Sequence, residues 1–388
     1  MSTRLAPILV LLALGCGEHE AEIASPRRAL WVLAEGSHRT LEEPEKIDRL
    51  VRDAVDLAMT DLFVQVYRGG RSWFPSQMAD DAPYRAIREA GHGDPLVRLV
   101  KRAHAAGLRV HAWFNALSLA RNADAPLLRK LGREAVLVDR DGHNLLDYPD
   151  YDVPPPARSH VQLGTAGIWL DPAVPEVTEY LASTLDELVR VAPDLDGLHL
   201  DYIRHPITLP MIPGSRFRGL DFGYGSASKE AFTREYGSFR LGDDWDHTRR
   251  RAVGELVRRL GERLPVRWER SAAVISYADR AYLTAMQDWR HWLEEDWLDF
   301  AVAMAYTRDD TLLRYMIEEL RGGVTGERVW MGLGTWLFVG RPMRATRQLE
   351  MALASVPMGI AIFSYDAIAA APETLEALRP SGGAGAVE

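Results

Sequence analysis

One cysteine, Cys16, is all that 388 residues contain. That excludes an intrachain disulfide framework and the cysteine-pair motifs of structural zinc sites. Positive charge is also in short supply. The 46 Lys and Arg stand against 55 Asp and Glu, a net charge of −9. Neutralising phosphates takes clustered cations, so nucleic acid is not an expected partner. The one basic run, Arg249-Arg250-Arg251, reads as a solvated helix face. Long apolar runs are missing as well: the stretch from Leu5 to Leu14 falls short of the ~20 residues of a membrane span. No H-E-x-x-H, no G-x-S-x-G and no internal repeat occurs, which removes the usual zinc-protease and serine-hydrolase signatures. No cofactor is expected.

The N-terminus is a distinct segment. Arg4, the apolar run and the small residues before Cys16 read as a secretory signal over residues 1–16. The Ala13-Leu14-Gly15-Cys16 junction is similar to a bacterial lipobox, which makes Cys16 the expected lipidation site. Membrane attachment is then expected only through that lipid. Gly17, in place of a retaining aspartate, points to an outer-membrane lipoprotein facing the periplasm. Residues 17–27 read as a polar tether, 28–380 as the folded domain and 381–388 as a flexible tail.

From Arg28 onward, apolar β-like runs alternate with amphipathic helical stretches, the pattern of a parallel sheet built from βα units. The strands are expected at 29–35, 61–67, 109–115, 195–201, 270–276, 298–306, 329–336 and 359–365. The helices are expected at 44–58, 94–106, 175–190, 246–263, 279–295, 311–321, 343–354 and 371–378. Eight such units make an α/β fold, a single TIM (β/α)8 barrel, with long loops after the third and fourth strands.

Alternation along a strand sends neighbours to opposite faces. In 195–201, His199 and Asp201 share a face opposite Leu198 and Leu200; in 109–115, His111, Trp113 and Asn115 oppose Val110, Ala112 and Phe114. In 61–67, Gln65 and Tyr67 are assigned to the unusual face, as is Trp336 in 329–336. That face is expected to look into the barrel. Its C-terminal end, where barrel enzymes carry their sites, explains why an ionisable Asp201 is tolerated at the end of an apolar run. Aromatic rings suit the apolar faces of sugars, and carboxylates and amides suit hydroxyls. Asp201 is therefore expected as the carboxylate that attacks or activates water, with Gln65, Tyr67, His111, Trp113, Asn115, His199, Tyr202, Arg204, Tyr306 and Trp336 binding substrate. Glu35, with the parity of Trp31 and Leu33, is the preferred proton donor; Asp171 is a second candidate or, alternatively, a helix cap ahead of Pro172. His111 and His199 invite a zinc reading, but barrel hydrolases of that kind usually carry a His-x-His pair on the first strand, and ALWVLAE has none.

The stretches LFVQVYRGGRSWFPSQ, RVHAWFN, WLDPAVPEVTEYL, DGLHLDYIRHP and QDWRHWLEEDWLDFAVAMAY, in that order, resemble the signature blocks of the glycosyl-hydrolase-like family 10 proteins. The resemblance implies a TIM barrel with glycosidase activity, an extracytoplasmic location and a polysaccharide substrate such as peptidoglycan glycan strands. It places Asp201 at the nucleophile-like position. The family typically has two consecutive aspartates there, and this chain has Tyr202 second; Ala303 and Met304 replace a Pro-Gln pair, while Tyr306 remains. A barrel that binds glycan without cutting it is the alternative.

Overall fold

The computed structural model describes residues 26–152, 161–163, 166–206, 208–210, 221–323, 325–355 and 359–380. The expected signal, its Cys16 and the 381–388 tail lie outside these residues.

Eight parallel strands form the barrel: β1 (Arg27–Val32), β2 (Asp61–Arg68), β3 (Arg109–Asn115), β4 (Gly197–Asp201), β5 (Glu269–Ile275), β6 (Phe300–Met304), β7 (Val329–Gly334) and β8 (Gly359–Phe363). They pair in sequence order, and β1 closes the ring by pairing with both β2 and β8. The register sets Trp31 beside Phe63 on one side and Phe363 on the other. Helices flank the ring, among them Pro44–Asp56, Pro95–Ala105, Pro175–Val191, Asp243–Gly261 and Asp310–Arg321. Many begin with proline in the first turn, where its missing N–H costs nothing. The expected helix at 279–295 is two, Ala278–Thr284 and Trp289–Glu294, broken where Met286 takes a left-handed conformation.

Two apolar layers hold the ring. Leu62, Val64, Val110, Ala112, Leu198 and Leu200 pack outward under the helices. Trp31, Phe63, Trp113, Phe300, Val302 and Trp330 fill the lumen. The large indoles fit because glycines stand opposite them: a Cβ at Gly359 would lie 2.7 Å from the Trp330 ring. The lumen is a packed core, and only its upper end can be a cleft.

The excursions after β3 and β4 are docked on each other. Gly223 and Tyr224 donate to the Val138 carbonyl, and Arg140 pairs with Asp221 at 2.9 Å. Here the basic run departs from its expected solvated face. Arg249 is buried, bonded to the Phe222 carbonyl and to Asp221 and Asp246, and stacked on Tyr224. Arg250 is buried over the Tyr282 ring at 3.8 Å. The run ties the β4 excursion to its helix.

Candidate active site

The mouth of the barrel holds a cavity of about 390 Å³, lined by Trp31, Leu33, Gln65, Arg68, Trp113, Asn115, Asp201, Tyr202, Arg204, Ala273, Met304, Tyr306 and Phe363. Its size falls in the range of small-molecule sites, about 300–1,000 Å³. β2, β3 and β4 bring the polar groups together. Asn115 and Asp201 are register neighbours at the ends of β3 and β4, and Gln65 Nε2 reaches Asn115 Oδ1 at 3.4 Å.

Asp201 is 8% exposed. The Trp113 Nε1–H donates to its Oδ2 at 3.1 Å, and the Tyr202 N–H donates to its Oδ1 at 2.6 Å. Burial pushes the Asp201 carboxyl above the usual aspartate range; the Tyr202 N–H, the Arg204 charge and the Trp113 N–H pull the other way without cancelling it. Tyr202 sits at φ 52°, in the left-handed region that a bulky residue enters only under constraint. That bend turns its own N–H back onto the carboxylate. Burial, reinforced by the Asp201 and Tyr202 charges, lifts the Tyr306 hydroxyl well above the ordinary tyrosine range, so it stays protonated and able to donate. Trp336, exposed just beyond β7, stands edge-on to Tyr306 with centroids 6.5 Å apart, which puts an aromatic ring on the rim.

Other expected site residues lie elsewhere. His111 faces inward but sits at the opposite end of the barrel, its Nε2 2.9 Å from Asp61 Oδ1. It precedes Asn115 by four residues, roughly 13 Å along a strand at about 3.3 Å per residue. His199 lies one layer below the mouth. It accepts from Trp31 Nε1 at 3.0 Å, meets Ser271 Oγ at 2.9 Å and stacks on Phe63 at 4.1 Å. Burial, then the neighbouring His111, pushes its pKa well below the ordinary histidine value, so it is neutral. Both its nitrogens are occupied, which leaves no lone pair for zinc. Tyr67 faces outward, buried and stacked on Phe114 at 4.2 Å, because the β2–β3 register slips between Gln65 and Tyr67.

The two expected partner carboxylates are also outside the cavity lining. Glu35 lies beyond the end of β1, its oxygens held by Arg71 at 2.6 and 2.9 Å, with Arg68 at 3.7 Å. Asp171 is buried, where it accepts from the Ala173 N–H at 2.9 Å in a turn ahead of the helix Pro175–Val191; the N-cap of that helix is Val174, so Asp171 is not its cap either. Among the described residues Asp201 is the only carboxylate lining the cavity. Sequence reasoning missed Arg68, which the same register slip carries to the mouth, and the apolar lining of Trp31, Met304 and Phe363.

At the base of the barrel Asp61, His111 and Glu269 place potential metal-ligating atoms within 4.8 Å of one another. Arg27 bonds both carboxylates, and Arg109 reaches Asp61 at 3.2 Å. Two guanidiniums neutralise two carboxylates there, a plug of ion pairs and not a cation cradle. A second cavity, about 340 Å³, lies outside the barrel between the helices Pro175–Val191 and Asp243–Gly261. Its charged residues are spent on ion pairs: Arg259 on Glu255 and Glu179 on Arg263.

Comparison with known proteins agrees with this architecture. The chain is 24% identical over 328 residues to the glycosyl hydrolase DigH of Escherichia coli (strain K12), covering 77% of this chain and 66% of that protein, and to the same degree to DigH of Shigella flexneri. The chain thus spans just under two thirds of the length of these curated relatives. The catalytic domain of a β-amylase from Paenibacillus polymyxa superposes with a TM-score of 0.54 at 10% identity, over 89% of this chain and 93% of that one, which reflects the shared barrel. The model of the family described as Glycosyl hydrolase-like 10 matches residues 26–313, and the chain belongs to that family.

Proposed function

We propose that the protein is a glycoside hydrolase of bacterial cell-wall glycan, with Asp201 as its catalytic carboxyl. One observation carries the reading. The cavity at the barrel mouth has an apolar, aromatic floor and a single carboxyl that is buried, doubly hydrogen-bonded and displaced toward the protonated form. A carboxyl with a raised pKa suits proton donation to a leaving glycosidic oxygen. This reverses the role expected from sequence, because burial favours the neutral acid over the carboxylate.

In this mechanism the Asp201 proton passes to the glycosidic oxygen as the bond to the anomeric carbon breaks. The electron-rich faces of Trp113, Tyr306 and Phe363 border the cationic carbon. Water then bonds to that carbon and its proton returns to Asp201. Asn115 and Gln65 position ring hydroxyls, and the Tyr306 hydroxyl donates to substrate oxygen.

The N-terminal sequence supports a place for this activity: lipidation at Cys16 and a periplasm-facing outer membrane. Incubating the mature protein, without lipid, with intact and peptide-stripped peptidoglycan and weighing the fragments tests the reading. Released oligosaccharides that vanish with Asp201→Asn are expected; no product from either substrate sinks it.

A second reading, glycan binding without turnover, is favoured by the absence of a second carboxylate from the described cavity lining and by the Arg71 clamp on Glu35. It predicts saturable binding that survives Asp201→Asn, with no product.

A further inference from the structure

We infer that the mouth of the barrel reads a free carboxylate carried by the sugar, through Arg204 assisted by Arg68. The inference rests on reading this cavity as a glycan site and adds to it the charge of the ligand.

Arg204 lines the cavity and is 6% exposed. A buried guanidinium is expensive unless an anion compensates it. Among the described residues Arg204 makes no ion pair, and its hydrogen bonding is confined to the His205 carbonyl, at 3.1 Å from Nη1. Its guanidinium lies instead over the Trp169 ring at 4.9 Å and the Tyr202 ring at 5.5 Å. That position leaves N–H donors of the fork for a ligand, the arrangement that suits bidentate capture of a carboxylate.

Asp201 is not that anion. It acts on Arg204 through space, but its two oxygens receive the Trp113 and Tyr202 N–H groups. Arg68 adds a second cation to the same wall. Its nearest acid, Glu35, is 3.7 Å away and bonded more closely to Arg71 at 2.6 Å. Among the described residues the cavity lining holds Arg204 and Arg68 against a single carboxyl, Asp201, which burial displaces toward its protonated form. A bound carboxylate would offset that excess positive charge. It would also remove the repulsion that Arg204 exerts on a cationic anomeric carbon, so recognition and catalysis favour the same ligand.

A carboxylated sugar comes in two forms, an O-lactyl ether on an amino sugar or a hexuronic acid. The test is calorimetric binding of four disaccharides to the purified protein: N-acetylglucosaminyl-N-acetylmuramic acid, its methyl amide, a glucuronate disaccharide and its methyl amide. In at least one pair the free acid is expected to bind about tenfold to a hundredfold more tightly than the amide, the range of a charge-assisted hydrogen bond. The pair that discriminates identifies the source. The preference should shrink with added salt, fall with Arg68→Gln and be largely lost with Arg204→Gln. Arg204→Lys, which keeps the charge without the fork, should retain part of it. Equal binding of acid and amide in both pairs by the unaltered protein overturns the inference, and no variant is needed to see it. Because turnover is not read, acid-selective binding without hydrolysis would leave the inference standing while the hydrolytic reading fell.

Discussion

The indole of Trp113 donates a hydrogen bond to the carboxylate of Asp201 at 3.1 Å, across neighbouring strands at the top of the barrel. That bond favours the charged form, while burial, the larger influence, favours the neutral acid. Trp113→Phe keeps an aromatic wall and removes the donor. With Asp201 acting as proton donor, activity falls as pH rises through its pKa. Losing a stabiliser of the carboxylate lifts that pKa further. A hydrogen bond to a charged group contributes about 1.5–3 kcal/mol, so the alkaline limb of the kcat/KM profile should move up by roughly one pH unit or more. An acidic limb that moves up while the alkaline limb stays put would show Asp201 working as the carboxylate.

Arg71 holds Glu35 by both oxygens, and the expected consequence separates it from Asp201. Glu35→Gln should reduce kcat by less than tenfold, since the residue lies outside the cavity lining. Asp201→Asn should remove turnover to the detection limit, as deleting a general acid typically costs about 10²–10⁴ in rate. Paired kcat measurements on one glycan substrate decide this. Equal, large losses would make Glu35 a second catalytic carboxylate that leaves Arg71 when substrate binds.

Which face each strand residue takes was readable from alternation, because a strand repeats every two residues. Trp113, Asn115 and Asp201 do converge as the parity of RVHAWFN and GLHLD implies. Depth was not readable. Parity puts His111, Trp113 and Asn115 on one face but is silent on which end of the lumen each occupies, and His111 ended in the basal plug. The register slip in β2 was equally hidden: it exchanges Tyr67 for Arg68 at the mouth, and nothing in LFVQVYRGG marks it except the glycine pair that ends the strand. Glu35 was hidden for a third reason: Arg71, which holds it, lies 36 residues on, in a short strand folded back on the end of β2 that no pattern near Glu35 marks, while Asp171 is spent on a local turn to the Ala173 N–H.

The basal plug gives a stability prediction independent of catalysis. Asp61 is fully buried between Arg27, Arg109 and His111. Burial alone would push its carboxyl up, but the His111 and Arg27 hydrogen bonds outweigh that and hold it far below the usual range. A depressed carboxyl contributes stability above its unfolded pKa, about 3.9, and loses it as pH falls toward the folded value. Asp61→Asn should therefore destabilise the fold at pH 7 by about 3–5 kcal/mol, the cost of stranding buried charge. The difference from the unaltered protein should shrink below about pH 4. Denaturant melts at pH 7 and pH 3 check this. Chelator should leave both melts unchanged, because the guanidiniums occupy the potential metal ligands; a chelator-sensitive melt would make the plug a metal site after all.

Asp171 has the opposite sign. It is 1% exposed, and burial raises its pKa from 3.8 to about 6 against the Ala173 N–H and the Ser228 hydroxyl that favour ionisation. The folded chain therefore binds this proton more tightly than the unfolded one. That contribution is complete below about pH 4 and is lost as pH rises through about 6. Above that, the buried carboxylate costs up to about 3 kcal/mol, from two pKa units at 1.36 kcal/mol each. An asparagine keeps an oxygen for the Ala173 N–H and offers its amide to Ser228, with no charge to bury. Asp171→Asn should leave the melting temperature near that of the unaltered protein at pH 4.5 and raise it at pH 8. Glycan hydrolysis should be retained, since the side chain is outside the cavity. A variant equally stabilised or destabilised at both pH values would mean that Asp171 does not titrate on folding, and lost hydrolysis in a stably folded variant would return it to the catalytic machinery.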